Sequence, residues 1–143
     1  MGTLTRAIEI ATRAHEGQVD KAGEPYILHP LRVMLKMRTE EERIVAVLHD
    51  LVEDCEWNLD DLRREGFSDS IIEAIDVLTK RNGEGRISAA KRAVLNPLAR
   101  AVKLADNADN LNLKRIPNPT SKDYERIEEY RQVRQILENP SPS

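Results

Sequence analysis

Ile44-Val45-Ala46-Val47-Leu48-His49-Asp50-Leu51-Val52-Glu53-Asp54 sets five apolar residues directly before two ionisable pairs, His49-Asp50 and Glu53-Asp54. Thr39 and Glu42 stand at the spacing of a capping box, so the sequence predicts a helix from Glu40 to about Glu53. Apolar side chains occupy nearly every side of that helix, which makes it a central, buried element. His49 and Glu53 are spaced i, i+4, as are Asp50 and Asp54, while Asp50 and Glu53 are i, i+3. On one continuous helix the four groups share a narrow polar stripe. Three carboxylates side by side are costly to bury unless a cation or hydrogen-bond donors compensate. Glu53 and Asp54 also fit a solvated helix end, although acids there oppose the helix dipole. His49-Asp50, directly behind five apolar residues, fits a solvated edge poorly.

The segments on either side are helical too. Leu4, Ala7, Ile8, Ala11 and Ala14 line one helical face behind a Thr3 cap. Gly17 to Pro30 reads as a loop, with a short helix from Pro30 to about Met37. Asn58 with Asp61 opens another helix that Gly66 stops, and Ser68 caps a helix over Ile71, Ile72, Ile75 and Leu78. Beyond the loop Arg81 to Gly85, two helices cover Ile87 to Leu95 and Pro97 to Leu111. A last helix capped by Ser121 carries a partial stripe of Tyr124, Ile127, Val133 and Leu137. The expected fold is therefore all-α: a single domain over 1–138, a bundle of about eight helices, with 139–143 as a disordered tail.

Composition agrees. A chain of 143 residues, 40% hydrophobic and 33% charged, fits one soluble domain. Aromatic residues are 3%, so Leu, Ile, Val and Ala must build the core, as suits packed helices. No apolar run approaches the 18 or so residues of a membrane span, and the N-terminus lacks a signal peptide's apolar centre. A net charge of −3 argues against a surface that coats a nucleic-acid polymer. Cys55 is the single cysteine, which excludes an intrachain disulfide and suits a cytoplasmic protein.

Two further segments break the apolar pattern. Leu104-Ala105-Asp106-Asn107-Ala108-Asp109-Asn110 follows a helical stretch and sets Asp106 and Asn110 on one face. His29 stands just before a helix start at Pro30. Each alone fits an ordinary capping or solvated residue. Together His29, His49, Asp50 and Asp106 supply two imidazole nitrogens and two carboxylates, a set suited to Mn²⁺, Fe²⁺ or Zn²⁺ with positions left for water or substrate. No phosphate-binding glycine loop, dinucleotide fingerprint or nucleophile elbow competes with this assignment.

The blocks GEPYILHP, LHDLVED and KLADNADN, in this order and spacing, resemble the HD-domain hydrolases of the RelA/SpoT type, in particular the small stand-alone alarmone hydrolases. The resemblance runs from Ala14 to the last helix. It implies an all-α fold and Mn²⁺ held by His29, His49, Asp50 and Asp106. Glu53 and Asp54 match the catalytic acids that position or activate the attacking water, and Lys21 and Asn110 match substrate contacts. The implied reaction removes pyrophosphate from the ribose 3′ position of (p)ppGpp, a small phosphorylated nucleotide. The length leaves room for the hydrolase domain alone, without synthetase or regulatory domains.

Two places in the chain depart from that pattern. Asp20 stands where the family commonly has an Arg that packs on the guanine base, and an aspartate neither stacks nor attracts a phosphate. Asn107, Ala108 and Asp109 stand where the family has Arg and an aromatic residue or His. Both changes make the substrate side less basic, which leaves adenine alarmones, pGpp or NADPH as alternative substrates. A nucleotide-binding module without turnover is the alternative from another class, distinguished by loss of a ligand or of the Glu-Asp pair. All six positions are present here.

Overall fold

The computed structural model describes residues 2–112 and 115–139. Nine helices lie among the described residues: α1 Leu4–Ala14, α2 Leu28–Leu35, α3 Glu40–Leu48, α4 Leu51–Asp54, α5 Leu59–Arg64, α6 Asp69–Leu78, α7 Arg86–Ala93, α8 Pro97–Asn110 and α9 Ser121–Glu138. The only pairing of extended backbone among them is one antiparallel bridge between Val19 and Pro25. The all-α expectation holds. Of the tail 139–143, residues 140–143 lie outside the described residues.

The sequence spells out most helix starts. Thr3, Thr39, Asn58 and Ser68 each accept a backbone N–H of the first turn, and Thr39/Glu42 and Asn58/Asp61 close full capping boxes. Gly66, with φ of 91°, takes the left-handed conformation that ends α5. Two starts differ from expectation. Pro30 is the third residue of α2, not the first, because first-turn N–H groups have no acceptor inside the helix and proline loses nothing there. The cap of α9 is Thr120, whose capping box with Asp123 outcompetes Ser121. Tyr124 is 56% exposed, so the buried stripe of α9 is Ile127, Val133 and Leu137.

The largest difference lies in the segment quoted first. The helix from Glu40 stops at Leu48, His49 caps it, and Asp50 turns at φ −96°, ψ 0° before α4 resumes at Leu51. This break makes nine helices of the expected eight or so. The four groups differ in exposure, with His49 buried, Asp50 partly buried and Glu53 and Asp54 exposed, but all four line one cavity.

α3 is central, packed against α1, α2, α6 and α8, and Val45 to Leu48 are fully buried. A smaller cluster of Ala90, Ala93, Val133 and Leu137 joins α7 to α9. Ile75 of α6 is fully buried in the main core, remote in sequence from the ionisable cluster. Ile75→Ala should cost about 2–5 kcal/mol of stability by urea denaturation, the range for emptying a large aliphatic site in a packed core.

Candidate metal centre

Packing of α2, α3 and α8 brings three distant sequence segments to one point. His29 is in the first turn of α2, His49 caps α3, Asp50 occupies the α3–α4 break and Asp106 lies on α8. His29 Nε2 is 2.8 Å from Asp106 Oδ1 and 3.8 Å from Asp50 Oδ2. His49 Nε2 is 3.2 Å from Asp50 Oδ2 and 3.3 Å from the same Asp106 oxygen. Ligand bonds of ~2.1 Å place neighbouring donors ~3.0–3.4 Å apart in octahedral or tetrahedral geometry; the two His49 separations have that size, while His29 lies closer to Asp106 and farther from Asp50. His29, His49 and Asp50 each direct one donor atom within 4.8 Å of the others. The donor set is mixed nitrogen and oxygen, without sulfur, as suits a borderline or hard first-row metal.

Electrostatics fit the same reading. Burial lowers the basicity of His49, but Asp50 and Asp106 outweigh it and hold the imidazole up to about 9. His29 is likewise raised against burial by its bonds to Asp106 and Asp109. Burial opposes ionisation of Asp106, yet Lys103, with Nζ at 3.0 Å, and the two histidines hold it well below the usual carboxylate range. A dication at these nitrogens would compete with protons for them, so its affinity would depend on pH.

The ring nitrogens turned away from the cluster are also engaged. His49 Nδ1 donates to the Ala46 carbonyl at 2.5 Å, and His29 Nδ1 lies 2.5 Å from Asp109 Oδ2. Tyr26 donates its hydroxyl to Asp50 Oδ2 at 2.5 Å. Such partners fix which nitrogen or oxygen faces a metal.

A cavity of about 300 Å³ opens over the cluster. Glu53, Asp54 and Asn110 line it, as do Lys80, Arg86 and Lys103. Glu53 Oε1 accepts the backbone N–H of Lys80, which ties α4 to the end of α6. Partial burial raises Asp54 to about 6, helped by the charges of Asp50 and Glu53. Asn110 Nδ2 is 3.4 Å from Asp106 Oδ1. The arrangement can hold a cation, anions and a water within reach of a carboxylate of near-neutral pKa.

Lys21 does not join this group. Its Nζ pairs with Asp123 Oδ1 at 2.9 Å, on the wall of a second cavity of about 420 Å³. The two cavities share Tyr26, Asn110 and Tyr130. Asp20 also has a local role: Oδ1 accepts the N–H groups of Ala22 and Glu24 at 2.9 and 3.0 Å, pinning the turn that carries Lys21. Its other oxygen faces Arg115 at 3.6 Å. Arg115 and Arg126 line this second cavity with Lys21, so the loss of basicity expected from Asp20 is offset by cations from the α8–α9 connector and α9.

Sequence reasoning missed Tyr26, Lys103, Arg86 and Asp109. Lys103 and Asp109 stand three residues either side of Asp106, a spacing that puts them on its face of α8 and was readable. Arg86 is packed over the Tyr130 ring at 5.1 Å, a long-range contact with no local signature.

The family model described as HD domain matches residues 7–127. A GTP pyrophosphokinase of Streptomyces coelicolor is 35% identical over 125 residues, which cover 78% of this chain and 15% of that protein. A guanosine-3′,5′-bis(diphosphate) 3′-pyrophosphohydrolase of Vibrio cholerae is 40% identical over 81 residues, 54% of this chain and 11% of that protein. The chain thus spans only a small part of the curated relatives it matches. Among solved structures, one described as a metazoan orthologue of SpoT that hydrolyses ppGpp superposes with a TM-score of 0.77 at 19% identity, covering 98% of this chain and 87% of that one. With the paired histidines and aspartates on α2, α3 and α8, the match over residues 7–127 establishes that the chain belongs to the HD-domain family.

Proposed function

We propose that the protein is a metal-dependent phosphohydrolase that removes pyrophosphate from the ribose 3′ position of a guanosine or adenosine 3′,5′-bis-polyphosphate, with Mn²⁺ as its cation. The observation that carries this reading is the group His29, His49 and Asp50, with Asp106 against both histidines, under a cavity lined by both acids and cations. The activity named for the Vibrio cholerae relative supports it. His29, His49, Asp50 and Asp106 hold the cation. When bound, a divalent ion there polarises a phosphoryl oxygen and lowers the pKa of a water.

The chain's own residues do the rest. Asp54, with its pKa raised to about 6, takes the proton of the attacking water. Glu53, braced by the Lys80 N–H, orients that water. The water oxygen bonds to the ester-linked phosphorus as the bond to the 3′-oxygen breaks; the 3′-oxygen gains a proton and pyrophosphate departs. Lys80, Arg86 and Lys103 face the phosphates being transferred. Asn110, on the boundary between the cavities, and Lys21, in the second one, contact the nucleoside end of the substrate. The reaction concerns a small molecule and is placed in the cytoplasm, in keeping with the lone Cys55.

Asp20 and Asp123 on the second cavity's wall are engaged by internal partners, and position 20 offers no guanidinium to stack on guanine, so other purine nucleotides stay among the candidates. A product-resolved assay of ppGpp, ppApp, pGpp and NADPH with Mn²⁺ tests the proposal. Release of pyrophosphate from a 3′-diphosphate is the expected result; four intact substrates would overturn it in favour of a binding module.

A further inference from the structure

His29 and Asp109 are 3% and 4% exposed, and their contact of 2.5 Å is sealed from solvent. We propose that Asp109 is the positioning residue of the metal centre, fixing His29 so that Nε2 presents its lone pair to the cation. This rests on the reading of His29 as a metal ligand.

An imidazole binds a metal through one nitrogen, and the hydrogen bond made by the other decides which. His29 Nε2 already faces Asp106 and Asp50. For Nε2 to bind, the remaining ring proton must sit on Nδ1, where it needs an acceptor. Asp109 Oδ2 is that acceptor. His49 solves the same problem within its own helix, through the Ala46 carbonyl.

Asp109 is itself held from three directions. Arg32 Nε donates to Oδ1 at 2.9 Å and Arg32 Nη2 to Oδ2 at 3.1 Å, a two-pronged clamp. Arg115 Nη1 donates to Oδ2 at 2.9 Å. A buried carboxylate needs such compensation, and here it also removes rotational freedom. The arrangement repeats a spacing: Arg32 is three residues after His29 on α2, and Asp109 three after Asp106 on α8. One turn from the ligands, the Arg32–Asp109 pair therefore sets α2 and α8 in register.

The test measures free Mn²⁺ by electron paramagnetic resonance as the intact chain is titrated. Asp109→Ala should raise the Mn²⁺ dissociation constant about 10–100-fold, the usual cost of losing an outer partner of a ligating histidine. Asp109→Asn, which keeps an acceptor oxygen, should lose less. Ile75→Ala, destabilised in the apolar core at a residue that does not line the cavity, should bind as the wild type does, which separates positioning from general loss of stability. In the Zn²⁺-loaded wild type, long-range proton–nitrogen NMR should find the His29 proton on Nδ1. This last measurement, with Asp109→Asn, carries the test if Asp109→Ala does not fold. Wild-type affinity in a folded Asp109→Ala, or a His29 proton on Nε2, overturns the inference alone. A wild type that binds neither ion overturns the metal reading and the inference with it.

Discussion

Asp50→Ala is expected to reduce kcat/KM by at least about 10³-fold on whichever nucleotide the substrate assay identifies. A cation's stabilisation of transition-state charge is worth several kcal/mol, and about 4 kcal/mol is a thousandfold in rate. Asp50 Oδ2 sits 3.2 Å from His49 Nε2 and accepts the Tyr26 hydroxyl, so it is held in place before any ligand arrives. Its removal leaves two imidazoles and one carboxylate, which lowers the negative charge that draws a dication in. The same substitution removes the chief influence raising His49 against burial, so that ring loses its proton more readily. Two measurements follow. The activity assay should show the loss, and the thermal upshift that Mn²⁺ confers on the wild type by mass action should shrink or vanish. Full activity in Asp50→Ala would remove Asp50 from the metal site and with it the mechanism built on that site.

Much of this centre was legible because local chemistry announced it. Capping boxes at Thr39/Glu42 and Asn58/Asp61 fix helix starts through contacts three residues apart, which a sequence displays directly. His49-Asp50 stood out as an ionisable pair behind five apolar residues, and the structure places His49 at 4% exposure. What the periodicity hid was the break at Asp50. A run of apolar residues on both sides of His49-Asp50 suits one helix or two equally well, and tertiary packing chose two. His49 is buried at the break, and Glu53 and Asp54 lie more exposed on the wall of the same cavity.

The less legible residues depend on partners far along the chain. Lys21 meets Asp123 across a sequence separation of 102, and Arg115 reaches back to Asp20 and Asp109. Asp20 read as a lost base contact because its position was judged by residue type alone. Its Oδ1 holds a turn, and its charge is matched by an arginine from another element. By residue type Asp109 makes the substrate side less basic, whereas it is buried against His29 and two arginines. In both cases the residue's neighbours in space, not its neighbours in sequence, decide what the carboxylate does.

Asp54→Asn is expected to separate activity from stability. As the base proposed to take the water's proton, Asp54 should contribute about 10²–10⁴-fold, so the neutral amide should lose that much kcat. Stability should move the other way. Partial burial, with Asp50 and Glu53 nearby, raises Asp54 from 3.8 to about 6 in the folded protein. The native state therefore binds this proton more tightly than the unfolded chain. Stability falls as pH rises between about 4 and 6, and the penalty is constant above. A fully buried carboxyl shifted by two pH units would cost about 3 kcal/mol; Asp54 is only partly buried, and solvent screening reduces this to about 1 kcal/mol. Urea denaturation at pH 7.5 should thus find Asp54→Asn more stable than the wild type, and equal to it near pH 3. Added Mn²⁺ should narrow the gap, because a cation beside Asp50 offsets the repulsion that raises Asp54. The wild-type rate should fall tenfold per pH unit below an acid limb at or under about pH 6, and the residual rate of Asp54→Asn should lack that limb. An Asp54→Asn variant with wild-type kcat would move the base role to Glu53. One that is less stable than the wild type at pH 7.5 would mean that the ionised carboxylate is stabilised by a partner, contrary to the environment that raises its pKa.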